Sequence, residues 1–230
     1  MQQAIDEFEQ CYLKGDALKW CFISPFPSRL VHRAVRSPQF EHLQICQFFL
    51  IHTSDQLKFA SRKSSCELYK GMKMNEEFLD QLDKHTGKLI CTRDFFSCSQ
   101  SRKTALLIAN SPKHRSDLIP VLFKITYDQS VPLGEVSRPD SSSSIIFDVY
   151  TVFRVKYVDR GDITTVRIEL ADGDGRKLAQ TYRTRHAGES VQTIFNRFLS
   201  PSKPPARLPP LHRTPLTTQA STTLSPNDIG

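Results

Sequence analysis

The sequence lacks the patterns that announce the commonest chemistries. Its six cysteines, at positions 11, 21, 46, 66, 91 and 98, never fall as a CxxC pair. A zinc site is therefore not expected, and in a chain this long reduced thiols are the better reading than a disulfide scaffold. No run approaches the roughly 18 apolar residues of a membrane span. The opening MQQAIDEFEQ has no basic stretch followed by an apolar one, so no secretory signal is read there. A phosphate-cradling glycine loop, HExxH, GxSxG and the kinase motifs are all missing. Asp172-Gly173-Asp174-Gly175 lacks the spaced ligands and closing glutamate of a calcium loop and reads as a turn. Nothing repeats internally. These absences describe a soluble, cytoplasmic protein without a metal.

The chain has 230 residues, 39% of them hydrophobic, and its 15 phenylalanines can supply much of a core. A formal charge of +7 suits an anionic ligand, nucleic acid or an anionic surface, and selects none of them. The lysines and arginines are spread along the chain, with no stripe interleaved by aromatics, so nucleic acid is not an expected partner.

Residues 1–60 read as a helical cap, 61–199 as a β core, and 200–230 as a disordered tail. In the cap, Ala4-Ile5, Phe8 and Cys11-Tyr12 fall at helical spacing before a break at Gly15-Asp16. Ser28 is placed to cap a helix carrying Leu30-Val31 and Ala34-Val35. A third helix runs from Phe40 to about Thr53-Ser54-Asp55. The tail holds seven of the 14 prolines and few large apolar residues. Its stretch Pro204–Pro210 has the composition of a ligand for a proline-binding groove.

In the core, Glu67–Gly71 reads as a short strand ending at the glycine, and Asn75 caps a helix through Leu82. Lys88–Thr92 and Pro120–Asp128 read as strands, with a helix from Arg102 to Asn110 between them. Residues 129–144 read as a loop that feeds one continuous strand, Ile145–Phe153. A hairpin follows, its second arm Ile163–Leu170 placing Thr164, Val166, Ile168 and Leu170 on one face. Ala187–Leu199 reads as a last short helix or strand.

Three pieces carry candidate chemistry. Tyr69-Lys70-Gly71 puts a cation beside a glycine on a strand. Phe96-Ser97-Cys98-Ser99 puts two hydroxyls on one face. Ser142–Phe153 runs from a serine cluster into a strand. In this order they resemble the arginine-specific mono-ADP-ribosyltransferases. That family has a YRG strand, a serine motif followed by an arginine and an aliphatic helix, and a glutamate run entering a strand of the type ILFxxxTVFRI. Arg102 with Ala105-Leu106, Ile145-Ile146-Phe147 and Thr151–Val155 extend the match, as do Lys19-Trp20 and Gln47-Phe48-Phe49 in the helical lead.

The resemblance spans roughly residues 17–170. It implies an α+β ADP-ribosyltransferase-like fold, with the helical cap followed by a mainly antiparallel two-sheet β core. It also implies NAD as co-substrate, a protein acceptor, no metal, and Tyr69, Lys70, Gly71, Phe96, Ser97 and Ser99 as the dinucleotide-binding residues. The family's two catalytic glutamates fall on Ser142 and Ser144. Serine neither offsets a cationic ribosyl nor serves as a good base. Asp140, ahead of Glu135 and Asp148, is the candidate substitute carboxylate. Lys70 keeps the charge of the family's arginine, facing a pyrophosphate, but not its bidentate fork. The implied function is ADP-ribosyl transfer from NAD to protein arginine, with a catalytically dead NAD-binding or protein-interaction module as the alternative.

Overall fold

The computed structural model describes residues 2–22, 24–37, 39–59, 66–112, 117–128, 133–137, 143–190 and 193. The expected tail 200–230, residues 194–199 of the last expected element, Asp140 and Ser142 lie outside these residues.

Helices α1 (Gln2–Cys11), α2 (Ala17–Phe22), α3 (Pro25–Ala34) and α4 (Phe40–Phe59) precede the first strand. Ser24, not Ser28, occupies the N-cap of α3, because Pro25 and Pro27 suit a first turn where the backbone N–H groups have no partner. α4 continues past the expected stop at Asp55, and its own Leu57 is fully buried. Ala17, Cys21, Val31, Val35, Phe49 and Leu57 form an apolar cluster with Phe95, Val136 and Ile146, which bolts the helices to a sheet.

The remaining chain builds two sheets. Strands β1 (Cys66–Met74), β4 (Ile119–Tyr127), β8 (Thr164–Leu170), β7 (Val152–Asp159) and β2 (Leu89–Cys91) form the larger one in that order, with only β4 and β8 parallel. Strands β3 (Phe96–Cys98), β6 (Ser143–Phe147) and β5 (Gly134–Ser137) form the smaller, antiparallel one. Helix α5 (Glu76–Lys84) starts where the Asn75 side chain accepts from Phe78 N at 3.2 Å. Helix α6 (Arg102–Asn110) starts where Ser101 accepts from Thr104 N at 3.2 Å. The architecture is the expected α+β one with two mostly antiparallel sheets.

Four further expectations need correction. The run Ile145–Phe153 is not one strand: β6 ends at Phe147 in the small sheet and β7 starts at Val152 in the large one. Between them Asp148 Oδ1 accepts from Val149 N at 2.8 Å, Thr151 Oγ1 donates to Asp148 O at 2.8 Å, and Tyr150 takes the left-handed conformation with φ 59°. Those local bonds replace ladder bonds and turn the chain from one sheet to the other. Second, the loop 129–144 contains β5 and the first two residues of β6.

Third, β1 does not stop at Gly71. A Cβ there would overlap Ala105 O, so the glycine admits α6 against the middle of the strand. Fourth, Asp172–Gly175 is the first turn of helix α7 (Asp172–Arg185), with Asp172 and Asp174 at the positive end of its dipole. Gly175 packs on β7, where an added Cβ would meet Val152 Cγ2 at 2.5 Å.

Candidate functional site

β1 and β3 belong to different sheets but touch at one place. Tyr69 N donates to Ser99 O at 2.8 Å and Ser99 N to Tyr69 O at 2.7 Å. From there the sheets part, and the wedge between them holds Lys70. Its alternation with Leu68 and Met72 directs it inward, and only 8% of the residue is exposed. Lys70 Nζ donates to Ser97 O at 2.8 Å and stands 4.3 Å from the centre of the Phe96 ring. The structure thus joins two of the three sequence motifs through the cation for which the family resemblance implies a pyrophosphate partner.

The third motif arrives by strand pairing. Cys98 pairs with Ile145 and Ser97 with Ile146 across β3 and β6. The same register, continued one residue, brings Ser144 opposite Ser99. Cross-strand neighbours share a face. Ser97, Ser99 and Ser144 therefore lie together on one side of the small sheet, all half-buried. Phe96, Cys98, Ile145 and Phe147 point the other way into the aromatic core. Among the described residues neither the Ser97 nor the Ser144 hydroxyl has a hydrogen-bond partner. Ser99 Oγ instead accepts from Ser101 N at 3.0 Å, on the way into α6.

The helix that follows Ser99 begins with positive charge. α6 carries Arg102 and Lys103 in its first turn and no acid there, where the helix dipole is itself positive. Tyr69 stands close enough for Arg102 to oppose the rise that burial and Glu67 produce in its phenol pKa. Burial pushes the Cys98 thiol up to about 12, against the pull of Lys70, so this cysteine is an apolar filler at neutral pH.

The expected stand-in carboxylates Glu135 and Asp148 do not reach Ser144. Glu135 pairs with Ile145, one position out of phase with the Val136–Ser144 pair, which directs it to the opposite face. Asp148 is four residues along the chain, about 13 Å at strand spacing. It is held by Ser54 Oγ at 2.8 Å, and desolvation raises its pKa although Ser54 and the Val149 N–H resist.

Sequence reasoning missed two other polar features. Asp94, two residues before β3, bonds His32 and Arg36 of the α3 region, with Arg36 Nη2 at 3.4 Å. These partners stand 58 residues apart or more, and nothing local signals the pairing. A groove of about 890 Å³ runs between α2, α4 and β5, lined by Lys14, Lys19, His52, Asp55, Glu135 and Val136 among others. It opens at the far side of β5, beside the hydroxyl face and away from the β1–β3 wedge. The wedge is where the motif residues converge.

The fold has clear counterparts. Vis toxin, an ADP-ribosyltransferase from Vibrio splendidus, superposes with a TM-score of 0.56 at 16% identity, over 70% of this chain and 74% of the toxin. Vis in complex with agmatine gives 0.55 at 16% identity, over 75% and 85%. An ADP-ribosyltransferase from Clostridium botulinum gives 0.53 at 8% identity, over 74% and 91%. No family model and no curated protein matches the chain. The chain has the ADP-ribosyltransferase fold.

Proposed function

We propose that the protein binds NAD where β1, β3 and β6 meet, and that its transfer of ADP-ribose to protein arginine is lost or slowed by several powers of ten. The observation that carries this reading is Ser144: a half-buried hydroxyl without a partner among the described residues, on the same face as Ser97, at the motif position where the chemistry requires a carboxylate. When nicotinamide leaves with the electron pair of its bond to ribose, the ribosyl carbon becomes cationic. A fixed negative charge beside it stabilises that state, and losing such preorganised electrostatic stabilisation costs several kcal/mol. Ser142, at the position of the family's first glutamate, which positions or deprotonates the acceptor guanidinium, compounds the loss.

Retention of NAD is supported by the fold, by the Ser97 hydroxyl and by the positive first turn of α6 beside Tyr69. The complex of Vis with agmatine, a guanidine like the arginine side chain, supports arginine as the ancestral acceptor. The proline-rich stretch 204–210 is proposed as a separate docking segment for a partner.

The test is incubation of the purified protein with labelled NAD and an arginine-rich acceptor, alongside the Ser142→Glu/Ser144→Glu variant. No incorporation by the native chain and measurable incorporation by the variant are expected. Turnover by the native chain that vanishes in Asp140→Ala would overturn the reading in favour of a substitute carboxylate. Calorimetry with NAD separates the nucleotide binder from a pure protein-interaction module.

A further inference from the structure

In a strand, successive carbonyls point to opposite edges, so residues i and i+2 address the same neighbour. Ser99 uses its edge for two backbone bonds to Tyr69. Ser97, two residues earlier, therefore turns its carbonyl towards β1 as well, at a level where the two sheets have already separated. No backbone donor among the described residues reaches it. The Lys70 ammonium takes that place at 2.8 Å, and the Phe96 ring supports the ammonium from one side.

We infer that Lys70 is a positioning residue: it is a strap that fixes the Ser97 peptide, and through it the direction of the Ser97 hydroxyl, instead of a ligand for the dinucleotide phosphates. This rests on the proposed NAD site in its second half only; the strap itself is independent of any ligand. Three features agree with it. The cation is almost wholly buried, its acceptor is a backbone oxygen of the serine motif, and its strand is anchored on the next residue, Gly71, by the close approach of α6. Among the described residues next to Ser99, Arg102 and Lys103 at the exposed start of α6 remain to meet an anionic ligand.

The proposal separates from direct phosphate binding in a double-mutant cycle. Lys70→Met keeps the length and the contact with Phe96 and removes the donor. Lys70→Met and Ser97→Ala are each expected to weaken NAD binding by about tenfold or more. The double variant should be little weaker than either single one, because Lys70 acts through Ser97. A phosphate ligand would instead give additive losses and a shallower salt dependence in Lys70→Met; that result overturns the proposal. In nucleotide-free protein, hydrogen exchange at the Tyr69 and Ser99 amides should accelerate by about tenfold or more in Lys70→Met and stay near the native rate in Ser97→Ala. Unchanged exchange in Lys70→Met overturns the strap. If the native chain binds no NAD, the NAD reading falls and the exchange comparison alone decides the strap.

Discussion

Ser54 Oγ donates a 2.8 Å hydrogen bond to Asp148 Oδ1, joining α4 to the junction where the chain leaves the small sheet for the large one. The carboxylate is half-buried, and desolvation raises its pKa above the ordinary 3.8, with Ser54, the Val149 N–H and Lys58 opposing and Asp55 adding to the rise. A carboxyl with a raised folded pKa binds its proton more tightly in the native state. Between 3.8 and the folded value the native chain carries more protons, so this group's contribution to stability falls as pH rises through that interval and is constant above it. Glu67, lowered chiefly by the Lys124 hydrogen bond, has the opposite sign and loses its contribution as pH falls. Subtracting the denaturation midpoints of Asp148→Asn from those of the native chain across acid pH should isolate the Asp148 contribution. Ser54→Ala should steepen it and cost about 1–2 kcal/mol.

Gly71 is expected to tolerate no side chain. Its Cβ would overlap Ala105 O and sit 2.8 Å from Ala109 N, both backbone atoms, so the helix must move as a body. Gly71→Ala should cost about 1–3 kcal/mol by thermal unfolding. Because α6 follows closely on Ser99, the same substitution should also weaken NAD binding. An unchanged unfolding temperature would contradict the packing described.

The helices that declare their ends were legible in the sequence. Asn75 caps α5 as its position suggested, α6 occupies the expected Arg102–Asn110, and the alternation in Thr164–Leu170 marked the buried face of β8. What sequence reasoning lost were places where a local signal had a tertiary cause. Gly173 and Gly175 suggested a turn, yet Gly175 makes room for Val152 inside a helix. Apolar residues on both sides of Asp148 suggested one strand, because composition does not reveal a change of sheet. β5, Gly134–Ser137, is four residues long and half polar, too little to distinguish from loop. In the site, the structure joins Tyr69 to Ser99 and Lys70 to Ser97. The inward direction of Lys70 was also available in the sequence, since Leu68 and Met72 flank it at strand period.

Thiol chemistry should follow burial. Cys98 is pushed up to about 12 and Cys91 to about 11, in each case chiefly by desolvation. Cys91 belongs to an exposed residue, but its Sγ turns inward to donate to Tyr150 O at 3.2 Å. Under native conditions and mildly alkaline pH, a maleimide should label the exposed Cys11 first and leave Cys98 and Cys91 largely unmodified, as read by peptide mass spectrometry. Denaturant should bring all of them to comparable rates. Rapid native labelling of Cys98 would show that the contact between β3 and β1 opens readily.

The aromatic core should matter to both stability and site, in separable measure. Phe147 and Phe153 meet edge to face at 5.2 Å, and Phe96 stands 5.7 Å from Phe153, so one cluster joins β3 and β6 to β7 across the two sheets. Phe153→Ala should cost about 3–5 kcal/mol, since the cavity would lie where no chain end can collapse into it. Phe96→Leu should cost less, about 1–2 kcal/mol, because most of the volume remains. It nevertheless removes the ring against which Lys70 rests. Phe96→Leu should therefore loosen NAD binding out of proportion to its effect on unfolding, whereas Phe147→Leu, a comparable truncation without a lysine contact, should lower stability and leave affinity alone. Equal effects of the two on affinity would mean that the ring supports only the core.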